Sequence, residues 1–374
     1  MYVQRLRIRG FRNLVSQELS FPEPGVAIVG DNAQGKSNLL EALHYLETFR
    51  SFRGAPDRDL VGFSEEAFHL SCQLPGSGAP PGDAASRTLQ VGYRRADGRK
   101  KVSLEGQEPS RLADALGNLA TVVLCPADTE MAGGSPAGRR RFLDLVLSLN
   151  EPGYVTELQR YRRFLAQRNA GLKTAGPQAA RAWDDGLLRT GAAIIRARSV
   201  WVEAMTGFYE KAHQHISGGP EGSLRYRPSV EPGDDLAGTT EAFERRLRES
   251  ADSEERMRTT VVGPHRDDLT LTVPGSQRPV SLRAFGSGGQ LRTAALALRL
   301  TEAETVRLRR GTAPVLLLDD LLAELDAGRA GRVLELLHEV NPGQVVVTAP
   351  REDDLRLDDR ELARWRIEAG RVFP

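Results

Sequence analysis

Cysteine is nearly absent from this 374-residue chain: Cys72 and Cys125 are the only two. They lack metal-ligand spacing, and two cysteines cannot make a disulfide framework, so neither device organises the fold. Lysine is scarce as well. Of 51 basic residues only Lys36, Lys100, Lys101, Lys173 and Lys211 are lysine. With the Ala, Gly and Pro richness, this reads as a GC-rich genome rather than selection for guanidinium chemistry. A surplus of either charge is missing too. The net charge is +1, so any affinity for nucleic acid must come from local patches. No run approaches 18 apolar residues, and Met1 to Arg7 lacks the apolar core of a signal peptide. The expectation is a soluble, cytoplasmic protein with no membrane partner. The length suffices for a substantial core and two or three domains.

One stretch organises the rest. Gly30-Asp-Asn-Ala-Gln-Gly-Lys-Ser37 fits G-x-x-x-x-G-K-[ST]. Val26 to Val29 before it predicts a short apolar strand, and Asn38 to Leu46 after it predicts a helix with Leu39, Leu43 and Leu46 on one face. Strand, Gly-rich turn and helix is the setting the motif requires. The glycines Gly30 and Gly35 let backbone N–H groups around Asn32 curl about phosphate oxygens. The helix start at Lys36 to Asn38 adds positive potential. Lys36 then reaches the β- and γ-phosphates, and the Ser37 hydroxyl ligates Mg²⁺. The alternative is a Gly-rich turn before an ordinary helix. The motif predicts binding of a nucleoside triphosphate.

Elsewhere the pattern alternates between β and α character. Tyr2 to Arg9 reads as a half-buried strand, with Leu6 and Ile8 on one face and Arg5, Arg7 and Arg9 on the other. Gly10 to Asn13 turns it, which brings Arg12 and Asn13 near the nucleotide in chain order; a solvated turn is the alternative for Arg12. A second strand, Ser16 to Phe21, follows. His69 to Leu74, Leu89 to Arg95 and Lys101 to Leu104 read as antiparallel strands, with Asp97-Gly98 as a hairpin turn. Pro75 to Ser86 reads as a flexible loop, and Thr121 to Cys125 as a buried strand. From Pro136 to Ile216 the chain predicts three helices, Arg139–Leu149, Val155–Leu172 and Gln178–His215, with 13 Arg/Lys against seven Asp/Glu. That basic surplus, which includes Arg160, Arg162 and Arg163, reads either as a solvated face or as a DNA contact, and the outward Arg5, Arg7 and Arg9 of the first strand are the other candidates for contacting DNA. His213 and His215 diverge on a helix, which argues against a metal site. Leu224 to Ser229 is a strand and Glu241 to Met257 a helix, and Leu269 to Val273 pairs with Val280 to Arg283.

The C-terminal region supplies the second half of a site. Ser287-Gly-Gly-Gln290 opens a helix, Leu291 to Leu308, with Ala294, Leu298 and Thr301 at core spacing. Gly289 and Gln290 then lie at a second anion-binding helix start. Val315 to Leu318 predicts a buried parallel strand with Asp319 and Asp320 at its C-terminal end. One carboxylate belongs beside Mg²⁺ and the other must orient the attacking water. We assign Asp319 to the metal, through water, and Asp320 to the water. Otherwise Asp320 caps a Leu321 to Leu325 helix. Val345 to Thr348 predicts another buried strand.

Taken in order, these motifs resemble an ABC-type ATPase, and more closely the RecF family of bacterial recombination-mediator ATPases related to SMC heads. The residues that carry the resemblance include Gly10 to Asn13, Gly30 to Asn38, Ser51 to Arg53 with Asp57 to Leu60, and Gly133 to Asp144. Gly263-Pro-His-Arg-Asp-Asp-Leu269, Ser287 to Gln290 and Leu317 to Asp320 complete the set. The resemblance implies a slow, switch-like ATPase forming an ATP-sandwich homodimer, with Ser287 of one subunit on the γ-phosphate held by Lys36 of the other. It also implies ATP-dependent DNA binding, partnership with RecR and RecO, and help in loading RecA at gaps. Three positions depart from the pattern. Ala323 replaces a usual serine, Thr348 stands where transporter ATPases carry histidine, and no glutamine follows Cys125, leaving Asp128 as a positional candidate for metal contact. The expected architecture is α/β, an ABC-type head with a mixed sheet, formed by residues 1–130 and 259–374. A largely helical arm, 131–258, interrupts it. The rival readings are the nucleotide-binding subunit of a membrane transporter and a structural SMC head.

Overall fold

Alternation dictates the first elements of the computed structural model, which describes residues 1–76, 86–340, 343–355 and 362–374. In β1 (Arg5–Arg9), Leu6 and Ile8 are buried while Arg5, Arg7 and Arg9 are exposed. β2 (Gln17–Ser20) pairs with it antiparallel. β3 (Gly25–Val29) is apolar after its glycine and runs through the Gly-rich turn into α1 (Lys36–Thr48). β4 (Ala67–Leu74), β5 (Arg87–Arg94) and β6 (Arg99–Leu104) form antiparallel pairs, the last two joined through Asp97-Gly98. The loop expected over Pro75 to Ser86 lies for the most part outside the described residues. β7 (Thr121–Leu124) is fully buried and stops before Pro126.

Helices then take over: α2 (Thr129–Gly133), α3 (Pro136–Asn150), α4 (Tyr154–Thr174), α5 (Pro177–Ala180) and α6 (Asp184–Ser217). The third expected helix is therefore interrupted, by a 3₁₀ turn over Arg181–Trp183. β8 (Ser223–Arg227) follows, then α7 (Leu236–Glu249) and α8 (Ala251–Met257), so the predicted 241–257 helix breaks at Ser250. β9 (Asp268–Val273) pairs with β10 (Val280–Ser281), and α9 (Leu282–Phe285) precedes α10 (Gly288–Arg310). β11 (Val315–Leu318), α11 (Ala327–Val340), β12 (Val345–Ala349), β13 (Ala363–Glu368) and β14 (Arg371–Phe373) complete the chain.

Packing groups these elements into two compact units, Met1–Asp128 with Leu298–Pro374, and Thr129–Ala297. The sequence reading instead divides the chain at 130/131 and 258/259. The second boundary differs because β9 pairs with β8 (Leu271 opposite Leu224), about forty residues earlier. Leu291 also packs its methyls at the site of Gly133. Residues 259–297, Ser287 to Gln290 among them, thus pack with the helical unit. Motif order in a sequence does not reveal such pairing.

In the first unit a parallel sheet, β13-β3-β12-β11-β7 with β14 antiparallel at one edge, and the antiparallel sheet β2-β1-β4-β5-β6 enclose α1. The expected one-faced helix is buried nearly all round. Leu39, Leu40, Leu43, Tyr45 and Leu46 are all inaccessible to solvent. Its polar residues are paired accordingly. Glu41 takes the Arg12 fork, His44 Nδ1 lies 3.0 Å from Thr121 Oγ1, and Glu47 accepts the Thr121 N–H at 2.7 Å.

The second unit is a helical assembly with a small sheet, β10-β9-β8. α4 and α6 pack along each other. At Gly191 the rings of Tyr161 and Phe243 close so tightly that an added Cβ would lie 2.5 Å from Phe243. Among the described residues no helix is long and apolar enough to cross a membrane. His213 accepts the Gly222 N–H at 2.9 Å, and no cluster of metal-ligating side chains occurs among the described residues.

Candidate functional site

Backbone geometry builds the site first. The loop between β3 and α1 needs left-handed conformations that only small residues adopt readily: Gly35 sits at φ 112° and Ala33 at φ 65°. A Cβ at Gly30 would lie 2.4 Å from the Ile367 carbonyl oxygen, so β13 also enforces the first glycine. The β13–β14 turn braces the loop, since Ala369 N–H donates to Gln34 Oε1 at 2.6 Å and Gly370 N–H to the Gln34 carbonyl at 2.9 Å. From the other side Asn13 donates to the Ala33 carbonyl at 3.3 Å and accepts from Asn38 Nδ2 at 2.7 Å. Asn13 and Asn38 thus position the loop.

Lys36 is buried, and its ammonium donates to the Gly30 carbonyl at 2.7 Å and the Asp31 carbonyl at 3.2 Å. Asp320 Oδ2 lies 3.6 Å away. Ser37, in the first turn of α1, donates its hydroxyl to Asp319 Oδ1 at 2.8 Å. Asp319 ends β11, and burial raises its carboxyl above the usual range while the Ser37 hydroxyl opposes that rise. Asp320 adopts φ 46°, and its N–H donates to Thr348 Oγ1 at 3.0 Å. That hydroxyl also lies 3.2 Å from Asp319 Oδ1 and 3.1 Å from Asp320 Oδ1. Thr348 therefore ties both carboxylates to the end of β12. The Leu321 to Leu325 helix expected after Asp320 is only a 3₁₀ turn, Leu322–Glu324, which leaves no α-helix for Asp320 to cap.

These residues open onto a cavity of about 860 Å³, lined among others by Arg12, Asn32, Gly35, Lys36, Ser37 and Asp320. That volume sits in the upper part of the ~300–1,000 Å³ range of small-molecule sites. Arg12 at the cavity wall is held by Glu41, through Nε at 2.9 Å and Nη2 at 3.1 Å, and by the Asp59 carbonyl at 3.2 Å. It is not a solvated turn residue. Glycine-loop N–H groups, one ammonium and a hydroxyl beside a carboxylate make a cradle for a polyphosphate. Ser37 and Asp319 supply hard oxygen donors suited to Mg²⁺.

Other expected residues lie elsewhere. Ser287, Gly289 and Gln290 belong to the second unit, where they form a reciprocal capping box on α10. Ser287 N–H donates to Gln290 Oε1 at 2.9 Å and Gln290 N–H to Ser287 Oγ at 3.3 Å. Arg5 and Arg7 share Glu18, at 3.0 and 2.5 Å, while Arg9 continues their exposed face. On α4, Arg160 meets Glu157 at 3.0 Å and Arg162 meets Asp144 at 3.3 Å, with Arg163 exposed beside them. Asp128, the positional candidate for metal contact, is buried. It accepts the Cys125 N–H at 2.9 Å and pairs with Arg299 at 2.7 Å, so its carboxylate is committed inside the fold. Sequence reasoning missed Phe63 and Arg95 on the cavity wall, and singled out Arg58 only within the Asp57 to Leu60 stretch, with no role at the site. Phe63 is fully exposed there. Polar and aromatic residues clustered over 50–65, next to a phosphate-loop helix, were the available signal.

A family model described as the RecF/RecN/SMC N terminal domain matches residues 2–367. A DNA replication and repair protein RecF of Synechococcus sp. (strain JA-2-3B'a(2-13)) is 39% identical, covering 100% of this chain and 98% of that protein. The RecF of Roseiflexus castenholzii is 36% identical over the whole of both. A solved structure of the recombination mediator protein RecF-ATP in the RecFOR pathway superposes with a TM-score of 0.87 at 32% identity, covering 100% of this chain and 97% of that one. An SMC head bound to the C-winged helix domain of ScpA shares the fold at a TM-score of 0.57 and 17% identity, covering 100% and 97%.

Proposed function

This chain belongs to the RecF/RecN/SMC N-terminal domain family, and on that premise we propose that it is an ATP-dependent DNA-binding protein of replication and recombinational repair. The relatives' names, with a solved RecF-ATP structure among the matches, support ATP and DNA as its ligands. ATP closes two copies into a sandwich, with the Ser287 capping turn of one subunit on the γ-phosphate held by Lys36 of the other. The closed dimer grips DNA, works with RecR and RecO in the cytoplasm, and helps load RecA at single-strand gaps or single-/double-strand junctions. Slow hydrolysis, stimulated by DNA, reopens it.

The observation that carries this reading is the Ser37 hydroxyl on Asp319 at 2.8 Å, with Lys36 and Asp320 beside it. Ser37 and Asp319 would hold Mg²⁺, which when bound neutralises charge across the β- and γ-phosphate oxygens. Lys36 exchanges the Gly30 carbonyl for phosphate oxygens. Asp320 accepts a proton from the attacking water and aligns it, while Thr348 keeps that carboxylate in place.

Sizing of wild type and Asp320→Asn with ATP and with ADP tests the proposal. Wild type is expected to dimerise in ATP only, and the variant to persist as an ATP dimer, with turnover about 10²- to 10⁴-fold slower. Ser287→Arg should bind ATP and stay monomeric. A monomeric wild type in ATP, or unchanged turnover in Asp320→Asn, would overturn it.

A further inference from the structure

The Gly263-Pro-His-Arg-Asp-Asp268 segment contributes nothing to the nucleotide site, yet the second unit is built around it. Asp267 is 1% exposed and accepts from Arg198 at 3.2 Å, from the Tyr226 hydroxyl and from the Ser229 N–H at 2.7 Å. Asp268 receives the Arg139 fork at 2.9 and 3.0 Å. The Pro264 carbonyl takes a second bond from Arg198 at 2.7 Å. His265 is fixed between the Tyr161 hydroxyl at 2.6 Å and the Thr260 carbonyl at 3.0 Å. Asp144 completes the network, accepting from Arg198 at 2.8 Å, Tyr154 at 2.7 Å and Arg162 at 3.3 Å.

The carboxylates are thereby committed to other partners, and two cations make no direct ion pair among the described residues. Arg139, Arg140 and Arg141 are consecutive in α3, but among the described residues only Arg139 forms an ion pair. Arg140 is half-buried, and its hydrogen bond goes to a neutral acceptor, the Asp267 carbonyl at 2.6 Å. Burial and the neighbouring Arg198 charge hold it below the usual guanidinium range, outweighing the opposing pull of Asp268, Asp267 and Asp144. Arg141 is exposed, and its side chain makes no hydrogen bond or ion pair among the described residues. Both line a cleft of about 240 Å³, whose wall carries the arginines 140, 141, 162 and 198 against one carboxylate, Asp144. Ala137, in the first turn of α3, lines it too, so the helix start adds positive potential.

Five guanidinium groups, those of Arg139, Arg140, Arg141, Arg162 and Arg198, here share three carboxylates, Asp144, Asp267 and Asp268. Such a half-buried excess of positive charge is costly, and an anion would relieve it. The cleft is smaller than the ~300–1,000 Å³ of sites for whole small molecules. At ~30 Å³ per water it displaces about eight, room for one charged group rather than a free cofactor. Guanidinium forks match phosphate oxygens two at a time. We infer that this cleft seats a backbone phosphate of DNA, with Arg140 and Arg141 as its contacts. Assigning the phosphate to DNA rests on the proposed function; the charge imbalance does not. The contact is thus distinct from the exposed Arg160 and Arg163.

The experiment titrates DNA binding over salt, in ATP, for wild type, Arg141→Gln and Arg140→Gln/Arg141→Gln. Each lost phosphate contact should flatten the slope of log affinity against log salt by about 0.9. Arg141→Gln sits at the surface and leaves the fold intact. It is expected to lose about one unit of slope per subunit, and the double variant up to about two, with ATP affinity unchanged. Variants that match wild type would overturn the cleft assignment and leave the proposed function standing. A wild type that binds no DNA at any salt would overturn both. A glutamate-rich peptide bound by wild type and lost from the double variant, with DNA binding unaffected, would make the cleft a protein-docking site and overturn the DNA assignment.

Discussion

The phosphate site of the first unit and the arginine cluster of the second handle charge by different means. In the first, the candidate phosphate site is made from chain-local parts: a Gly-rich turn, the start of α1 and two carboxylates at the end of β11. Its single ammonium is held by backbone carbonyls at 2.7 and 3.2 Å. In the second, charge is carried by guanidinium groups from α3, α4 and α6, balanced against Asp144, Asp267 and Asp268 and left in excess at a cleft. Backbone N–H groups can receive an anion without carrying a net charge. Buried guanidinium groups need counter-charges whether or not a ligand is present. Defects at the phosphate site should therefore appear as lost ligand binding, and defects in the Arg198 network as lost stability.

The largest expected effect is on ligand binding. Lys36→Met removes the cation facing the β- and γ-phosphates, and ATP binding should fall beyond measurement while the thermal unfolding of the free protein hardly changes. Equilibrium binding of a labelled ATP analogue checks it, with near-normal affinity in the folded variant as the contrary result. Next comes the stability of the second unit. Arg198→Leu leaves Asp144 and Asp267 buried without their shared partner, and removing one member of such a network costs about 3–5 kcal/mol. Chemical denaturation should show that loss while ATP affinity in the first unit stays within about twofold. A loss below about 1 kcal/mol would mean that the network is not buried as described.

The same contrast decides what was legible in the sequence. Gly30 to Ser37, Asp319-Asp320 and Ser287 to Gln290 each announce themselves within a few residues, because backbone turns, strand ends and caps are local physics. The all-round burial of α1 was hidden, since Glu41, His44 and Glu47 look like a solvated face until Arg12 and Thr121 are brought to them. Arg198 was invisible as a centre, because its partners stand 54 and 69 residues away in the chain. The unit boundary inside α10 was hidden for the same reason: β8 and β9 pair across an intervening helical segment.

The smallest expected effect is a difference in acid sensitivity. In the second unit, burial pushes His265 down to about 4 from 6.5, and His213 is lowered in the same direction. A histidine depressed in the folded state stays neutral where the unfolded chain takes up a proton, so stability falls as pH drops from 6.5 toward 4. In the first unit, His44, pushed down to about 3 by burial, and the lowered His69 act with the same sign. There, however, burial pushes Glu47 up to about 7 and raises Glu302 as well. A carboxyl raised in the folded state keeps a proton that the unfolded chain has shed above about 4.5, so acidification between 7 and 4.5 stabilises the fold. The opposing signs flatten the first unit's response and leave the second unit's uncompensated. Hydrogen exchange read by mass spectrometry at pH 7 and pH 5 separates the two. Protection of α4 and α6 should fall about tenfold further than that of α1 and β11, a difference of ~1.4 kcal/mol. His265→Gln, whose amide can keep both hydrogen bonds without titrating, should remove most of that difference. Equal losses in both units, or a larger loss in the first, would show that the buried carboxyls of α1 and α10 do not offset the first unit's two histidines.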